Sequence, residues 1–149
     1  MKKLKAASLL VLFFAIITLG ITGCGKQAEG EEKAFNYRTA EEVKANIENS
    51  DDILLVDIQP EEGWNEHHIK GAIATHAYPV DTDEDKAKLD AILPTLEGSE
   101  SAIIIVCPKG GGGAEKTYKY LLEKGIKEER LFILEKGQAG WPYEDLLEK

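Results

Sequence analysis

Ile103-Ile104-Ile105-Val106-Cys107-Pro108-Lys109-Gly110-Gly111-Gly112-Gly113-Ala114 is the stretch that decides the fold of this chain. Four consecutive β-branched residues read as a strand buried on both faces, the pattern of a parallel sheet interior. Cys107 stands where that strand ends. A helix is expected from about Ala114 to Lys124, with Tyr118, Leu121 and Leu122 on one face and Gly125 stopping it. In open parallel sheets, ligand sites lie beyond the carboxyl ends of the strands. Consecutive glycines let successive N–H groups turn into one concavity, an anion nest, and the following helix adds its positive end. Lys109 supplies a cation close by. All three favour negative charge on sulfur, so Cys107 is expected to be nucleophilic. A buried structural cysteine followed by a flexible loop is the bland alternative. Four glycines placed directly between a buried strand and a helix weigh against it.

Working outward, residues 39–42 (TAEE) have capping-box spacing and open a short helix with Val43 and Ile47 facing inward. Residues 52–58 (DILLVDI) form a second buried strand, and residues 71–75 (GAIAT) a shorter one. Residues 83–96 carry apolar side chains at 87, 89, 92 and 93 and read as a helix interrupted or ended near Pro94. Residues 131–134 (LFIL) are the last strand. Strands alternating with helices predict an α/β fold, a central parallel sheet with helices on both faces. The folded domain is expected to span 35–149.

Three stretches carry a resemblance. The cysteine loop is one. The second is Leu55-Val56-Asp57-Ile58 followed by Trp64-Asn65-Glu66-His67-His68-Ile69-Lys70-Gly71-Ala72. The third is Leu134-Glu135-Lys136-Gly137-Gln138-Ala139-Gly140-Trp141-Pro142. Together, over residues 37–145, they resemble a single-domain rhodanese. That family pairs a strand ending in Asp with an aromatic, three spacers and His-Ile-x-Gly-Ala, and closes on a Gly-x-x-Gly-Trp turn. The resemblance implies a rhodanese-like fold and a sulfurtransferase activity without a cofactor. Cys107 would take sulfane sulfur from thiosulfate or a persulfide donor and hold it as a persulfide. It would then pass the sulfur to a thiol or to cyanide. Pro108, Lys109, Gly110, Gly111, Gly112 and Gly113 would bind the substrate, with backbone amides cradling the developing charge. Asp57 and His68 would support the site structurally.

The chain departs from the family in its cations. Relatives often carry Arg directly after the cysteine and again five residues after it, where this chain has Pro108 and Gly112. Gln59 replaces the Arg that often follows Asp57, and Gly63 the Glu before the aromatic. The donor therefore stays open. A rhodanese-fold binding or sulfide-sensing module with little turnover is the alternative. A phosphatase or arsenate reductase would want Arg six residues after the cysteine, where Gly113 stands. Adjacent His67 and His68, with His76 nearby, invite a metal, yet no acidic or cysteine ligand has zinc-like spacing to them, and none is expected. Trp64 and Trp141 read as packing residues.

At the other end, Lys2, Lys3 and Lys5 precede the uncharged residues 6–20, and Ile21-Thr22-Gly23-Cys24 resembles a bacterial lipobox. Residues 1–23 are expected to be a signal peptide, Cys24 a lipidated residue, and 24–34 a polar tether holding the domain on the extracytoplasmic face of the cell membrane. With Cys24 so occupied, Cys107 has no intramolecular partner. The leader holds lysines and no acid, so the rest of the chain is more acidic than the formal −9 of the whole. Such a surface repels nucleic-acid backbones, which are excluded as partners. Replacing Cys24 with Ala is expected to move the protein from the detergent phase to the aqueous phase or to leave an uncleaved precursor. Equal detergent partitioning of the two forms contradicts lipidation.

Overall fold

In the computed structural model, which describes residues 34–149, the expected alternation of strands and helices is realised. The order is β1 (Tyr37–Arg38), α1 (Ala40–Glu48), β2 (Ile53–Asp57), α2 (Glu61–Glu66), β3 (His68–Ile69), β4 (Ile73–Ala74), α3 (Asp83–Asp90), α4 (Leu93–Glu97), β5 (Ala102–Val106), α5 (Gly112–Glu123), β6 (Leu131–Leu134) and β7 (Leu147–Glu148). The expected signal peptide (1–23), Cys24 and nearly all of the expected tether lie outside the described residues. Among the described residues, no helix is long and apolar enough to cross a membrane.

Five strands make one parallel sheet in the order β1-β6-β5-β2-β4. Position in the sheet explains composition. β5 is central, so both of its faces must be apolar, and Ile103, Ile104, Ile105 and Val106 are all fully buried. Alternation sends Ile103 and Ile105 into one core and Ile104 and Val106 into the other. The first core receives Leu89 of α3, Leu96 of α4 and Ala114, Tyr118 and Leu121 of α5. The second receives Ala40 and Val43 of α1, Ile69 of β3 and Trp141. Helices therefore cover both faces, as the sequence pattern predicted. A separate antiparallel pair joins β3 to β7, setting His68 opposite Glu148.

Local signals explain the helix boundaries. At α1, the Glu42 N–H donates to Thr39 Oγ1 at 3.2 Å and the Thr39 N–H to Glu42 Oε2 at 2.8 Å, the expected capping box. Thr82 and Asp85 make the same reciprocal pair at the start of α3. The helix expected over 83–96 is interrupted, as expected, though the break falls at Ala91 and Ile92, just before Pro94. α3 ends at Asp90, and Pro94 lies in the first turn of α4, where its missing N–H costs no intrahelical bond. The helix expected from Ala114 begins earlier, at Gly112, because the Gly111 carbonyl already accepts from the Ala114 N–H at 2.8 Å.

Candidate functional site

Parallel register brings the ends of β2 and β5 together, with Asp57 opposite Val106. The Ile58 N–H then donates to the Val106 carbonyl at 2.9 Å, so the two chains leave the sheet side by side. Cys107 is the next residue, 1% exposed. Its Sγ accepts a hydrogen bond from the Gly110 N–H at 2.9 Å. Gly110 can aim that N–H because its φ is +71°, a left-handed conformation that side chains disfavour.

A second turn closes over the first. The Gln138 N–H donates to the Cys107 carbonyl at 2.8 Å, and the Ala139 N–H to the Pro108 carbonyl at 3.0 Å. The two backbones touch so closely that neither has room for a side chain at the crossing. A Cβ on Gly110 would lie 2.5 Å from the Lys136 nitrogen, and one on Gly137 (φ +57°) would lie 2.1 Å from the Cys107 carbonyl oxygen. Gly137, which the sequence marks only as part of a closing turn, thus helps to hold the cysteine loop. Two glycine-bearing turns following neighbouring strands of one sheet are the signal that could have found it.

The four glycines have different jobs. Gly110 shapes the loop, and Gly111 precedes α5. Gly112 and Gly113 are not part of a coiled nest, as expected from sequence, but form the first turn of α5. Their N–H groups have no carbonyl four residues earlier in the helix to occupy them. Gly113 is tight, since a Cβ there would come within 2.8 Å of Tyr78 Cδ2, whereas a Cβ on Gly112 would meet nothing within 4 Å. Tyr78, unremarked in the sequence, thereby forms a wall of the site.

Beside the loop lies an open pocket of about 470 Å³, its walls including Gln59, Gly63, Tyr78, Pro108, Lys109 and Gln138. Pro108 and Lys109 stand in its walls, whereas Gly110, Gly111, Gly112 and Gly113 do not. Lys109 is exposed at the rim, and Glu62 and Glu66 share the same pocket. A larger hollow of about 720 Å³ adjoins it, sharing Glu66 and His67, and lies against Trp141 and β7 with none of the cysteine loop in its walls.

The supporting residues order backbone. Asp57 is fully buried and accepts from the Gln59 N–H at 2.8 Å and from Gln59 Nε2 at 3.0 Å. Burial pushes its carboxyl above the ordinary aspartate range, while the Gln59 donors, His68 and His76 pull the other way. His68 Nδ1 lies 3.0 Å from the Trp64 carbonyl, which can only accept, so Nδ1 carries the proton. Its ring stacks on Trp64, centroids 3.5 Å apart, and this contact explains the spacing of the two residues. His76 Nδ1 likewise reaches the Gln59 carbonyl at 3.2 Å. Trp141 is buried in the second core. Among the described residues, no group of three or more His, Cys, Asp or Glu is placed to hold a metal ion.

The model of the rhodanese-like domain matches residues 39–143, and the chain belongs to that family. A comparison with curated proteins gave no match. Among solved structures, the rhodanese-like domain of an Anabaena sp. protein is similar at 21% identity and a TM-score of 0.57, covering 72% of this chain and 74% of that one. An As-Sb reductase from Leishmania major is similar at 17% identity and a TM-score of 0.58, covering 76% and 85%. A rhodanese-related protein from Thermoplasma volcanium is similar at 17% and 0.52, covering 72% and 90%. At these identities the likeness is one of fold. The family includes sulfurtransferases and also members without activity.

The glycines separate into two classes by mutation. Gly112→Ala is expected to leave stability unchanged or raise it by about 0.4–1 kcal/mol, through lost freedom of the unfolded chain. Gly137→Ala is expected to destabilise by more than about 2 kcal/mol, through strained φ and the clash with the Cys107 carbonyl. Urea unfolding of both variants checks this, and equal effects contradict the packing described.

Proposed function

We propose that this domain is a sulfurtransferase, lipid-anchored through Cys24 on the extracytoplasmic face, that carries sulfane sulfur as a Cys107 persulfide. The observation that carries the reading is the Gly110 N–H aimed at Cys107 Sγ, at the carboxyl end of a central parallel strand. In the first step the Cys107 thiolate attacks the outer sulfur of thiosulfate. A new S–S bond forms, the old one breaks, and sulfite leaves with the electron pair. With a persulfide donor the leaving group is a thiolate instead. In the second step an acceptor thiolate attacks the terminal sulfur, and Cys107 departs as thiolate. The Gly110 N–H stabilises charge on Sγ at the start and end of this cycle, and it is fixed by the backbone before substrate arrives.

Among the described residues, Lys109 is the one lysine or arginine lining the pocket, opposed by Glu62 and Glu66. That balance favours a neutral-backed persulfide over a doubly charged donor. Oxyanion chemistry of the reductase kind has less support, because Gly113 leaves no room beside Tyr78 for an arginine at that position. The second reading, a binding or sulfide-sensing module with little turnover, draws on the 1% exposure of Cys107, which restricts approach to its sulfur.

Mass spectrometry of the soluble domain after treatment with thiosulfate or polysulfide is expected to show a gain of about 32 Da, one sulfur, on Cys107, lost again on adding a thiol. No gain with either donor contradicts sulfur transfer. A gain that acceptors do not remove at a useful rate points to the sensing module.

Charge at the loop is tested by a pair of variants. Lys109→Ala is expected to raise KM for thiosulfate several-fold with a smaller fall in kcat, because an exposed point charge steers the anion before bond breaking. Gly112→Arg is expected to raise thiosulfate turnover several-fold, since the position is exposed, its φ is not left-handed and its Cβ meets nothing. No change in either variant contradicts a role for charge in choosing the donor.

A further inference from the structure

Among the described residues, the buried side-chain polar atoms left without a hydrogen-bond partner belong to one residue, Gln138: its Nε2 and its Oε1. Gln138 is 3% exposed and stands among the walls of the pocket beside the cysteine loop. Its own N–H, donating to the Cys107 carbonyl at 2.8 Å, pins its backbone beside the nucleophile. The turn needs only that backbone contact, which any side chain other than proline would permit. The amide is therefore surplus to the fold. Burying it unpaired is unfavourable, and an apolar side chain of the same shape would be more stable there.

We propose that Gln138 is a specificity-determining residue that reads a peptide group beside the reacting sulfur, so that the acceptor is a cysteine thiol flanked by amides, in a peptide or protein. The proposal rests on the sulfur-transfer reading above. A primary amide presents donors on Nε2 and an acceptor on Oε1. A ligand that satisfies both must itself offer a C=O and an N–H, as a peptide group does. Thiosulfate, sulfite and cyanide only accept, and would leave Oε1 unpaired. The pocket, about 470 Å³, is ample for a capped amino acid and much larger than a small inorganic anion needs. Its Glu62 and Glu66 also disfavour a small dianion more than an uncharged peptide. The side-chain torsions of Gln138 let the amide swing toward a ligand seated in the pocket.

The test compares wild type with Gln138→Met, an apolar near-isostere. Cys107 is loaded with sulfur, excess donor is removed, and persulfide loss is followed by mass spectrometry with two acceptors, N-acetylcysteine N-methylamide and 2-mercaptoethanol. Wild type is expected to reach half-maximal rate at a roughly tenfold lower concentration of the amide-flanked thiol. The variant is expected to lose most of that preference, mainly through the half-saturating concentration rather than the maximal rate. The empty variant is also expected to melt a few degrees higher, which a structural role for the amide would not produce. The assignment is overturned if wild type shows no preference, if Gln138→Met keeps it, or if the variant melts lower. Should Cys107 take no sulfur from thiosulfate or polysulfide, the sulfur-transfer reading fails, and calorimetry with S-methyl-N-acetylcysteine N-methylamide still decides the role of Gln138. Binding to wild type but more weakly to the variant sustains it as an amide reader. Equal binding, or none to wild type, removes it.

Discussion

The crossing of two backbones, at Gly110 and Gly137, is the constraint on which the rest of the site depends. A Cβ on either glycine would overlap main-chain atoms of the other turn, and the Gln138 and Ala139 N–H groups bind the carbonyls of Cys107 and Pro108. The cysteine loop is thus held through its peptide groups instead of its side chains. Hydrogen bonds between main-chain groups do not depend on rotamers, so the geometry around Sγ is settled when the sheet forms. The side chains that face the pocket are then free to be chosen for the ligand.

The sheet makes this possible by ending its strands in the same place. β2, β5 and β6 run parallel in register, so Asp57, Val106 and Leu134 finish together and their following loops must share one space. Buried Asp57 ties down Gln59, His76 holds the Gln59 carbonyl, and Trp64 stacks on His68. These contacts account for polar residues that would otherwise be anomalous at the edge of an apolar core. They also leave the Gly110 N–H as the donor on the sulfur and Lys109 as a cation in the wall of the neighbouring pocket, which Glu62 and Glu66 make partly acidic.

Much of this was legible in the sequence, for reasons that differ from element to element. The strands at 53–57, 102–106 and 131–134 declared themselves because central parallel strands are apolar on both faces. α1 announced its start through Thr39 and Glu42. By contrast β1, β3 and β7 have two residues each, too few to show a period, and α2 has no buried side chain to generate one. In the site, Cys107 and its glycines could be read because their chemistry is local. Gly137 and Tyr78 could not, since each matters through contact with a residue distant in sequence. Gln138 was passed over because an amide in a turn looks unremarkable until its partners are sought.

The depth of Cys107 has a consequence for encounters between copies of the molecule. A disulfide requires two sulfurs to approach within about 2.05 Å. Two domains whose sulfurs both lie beneath their own surfaces cannot bring them that close, so the fold itself bars the thiol from cross-linking like with like. The fold is therefore a barrier of thickness between two such thiols.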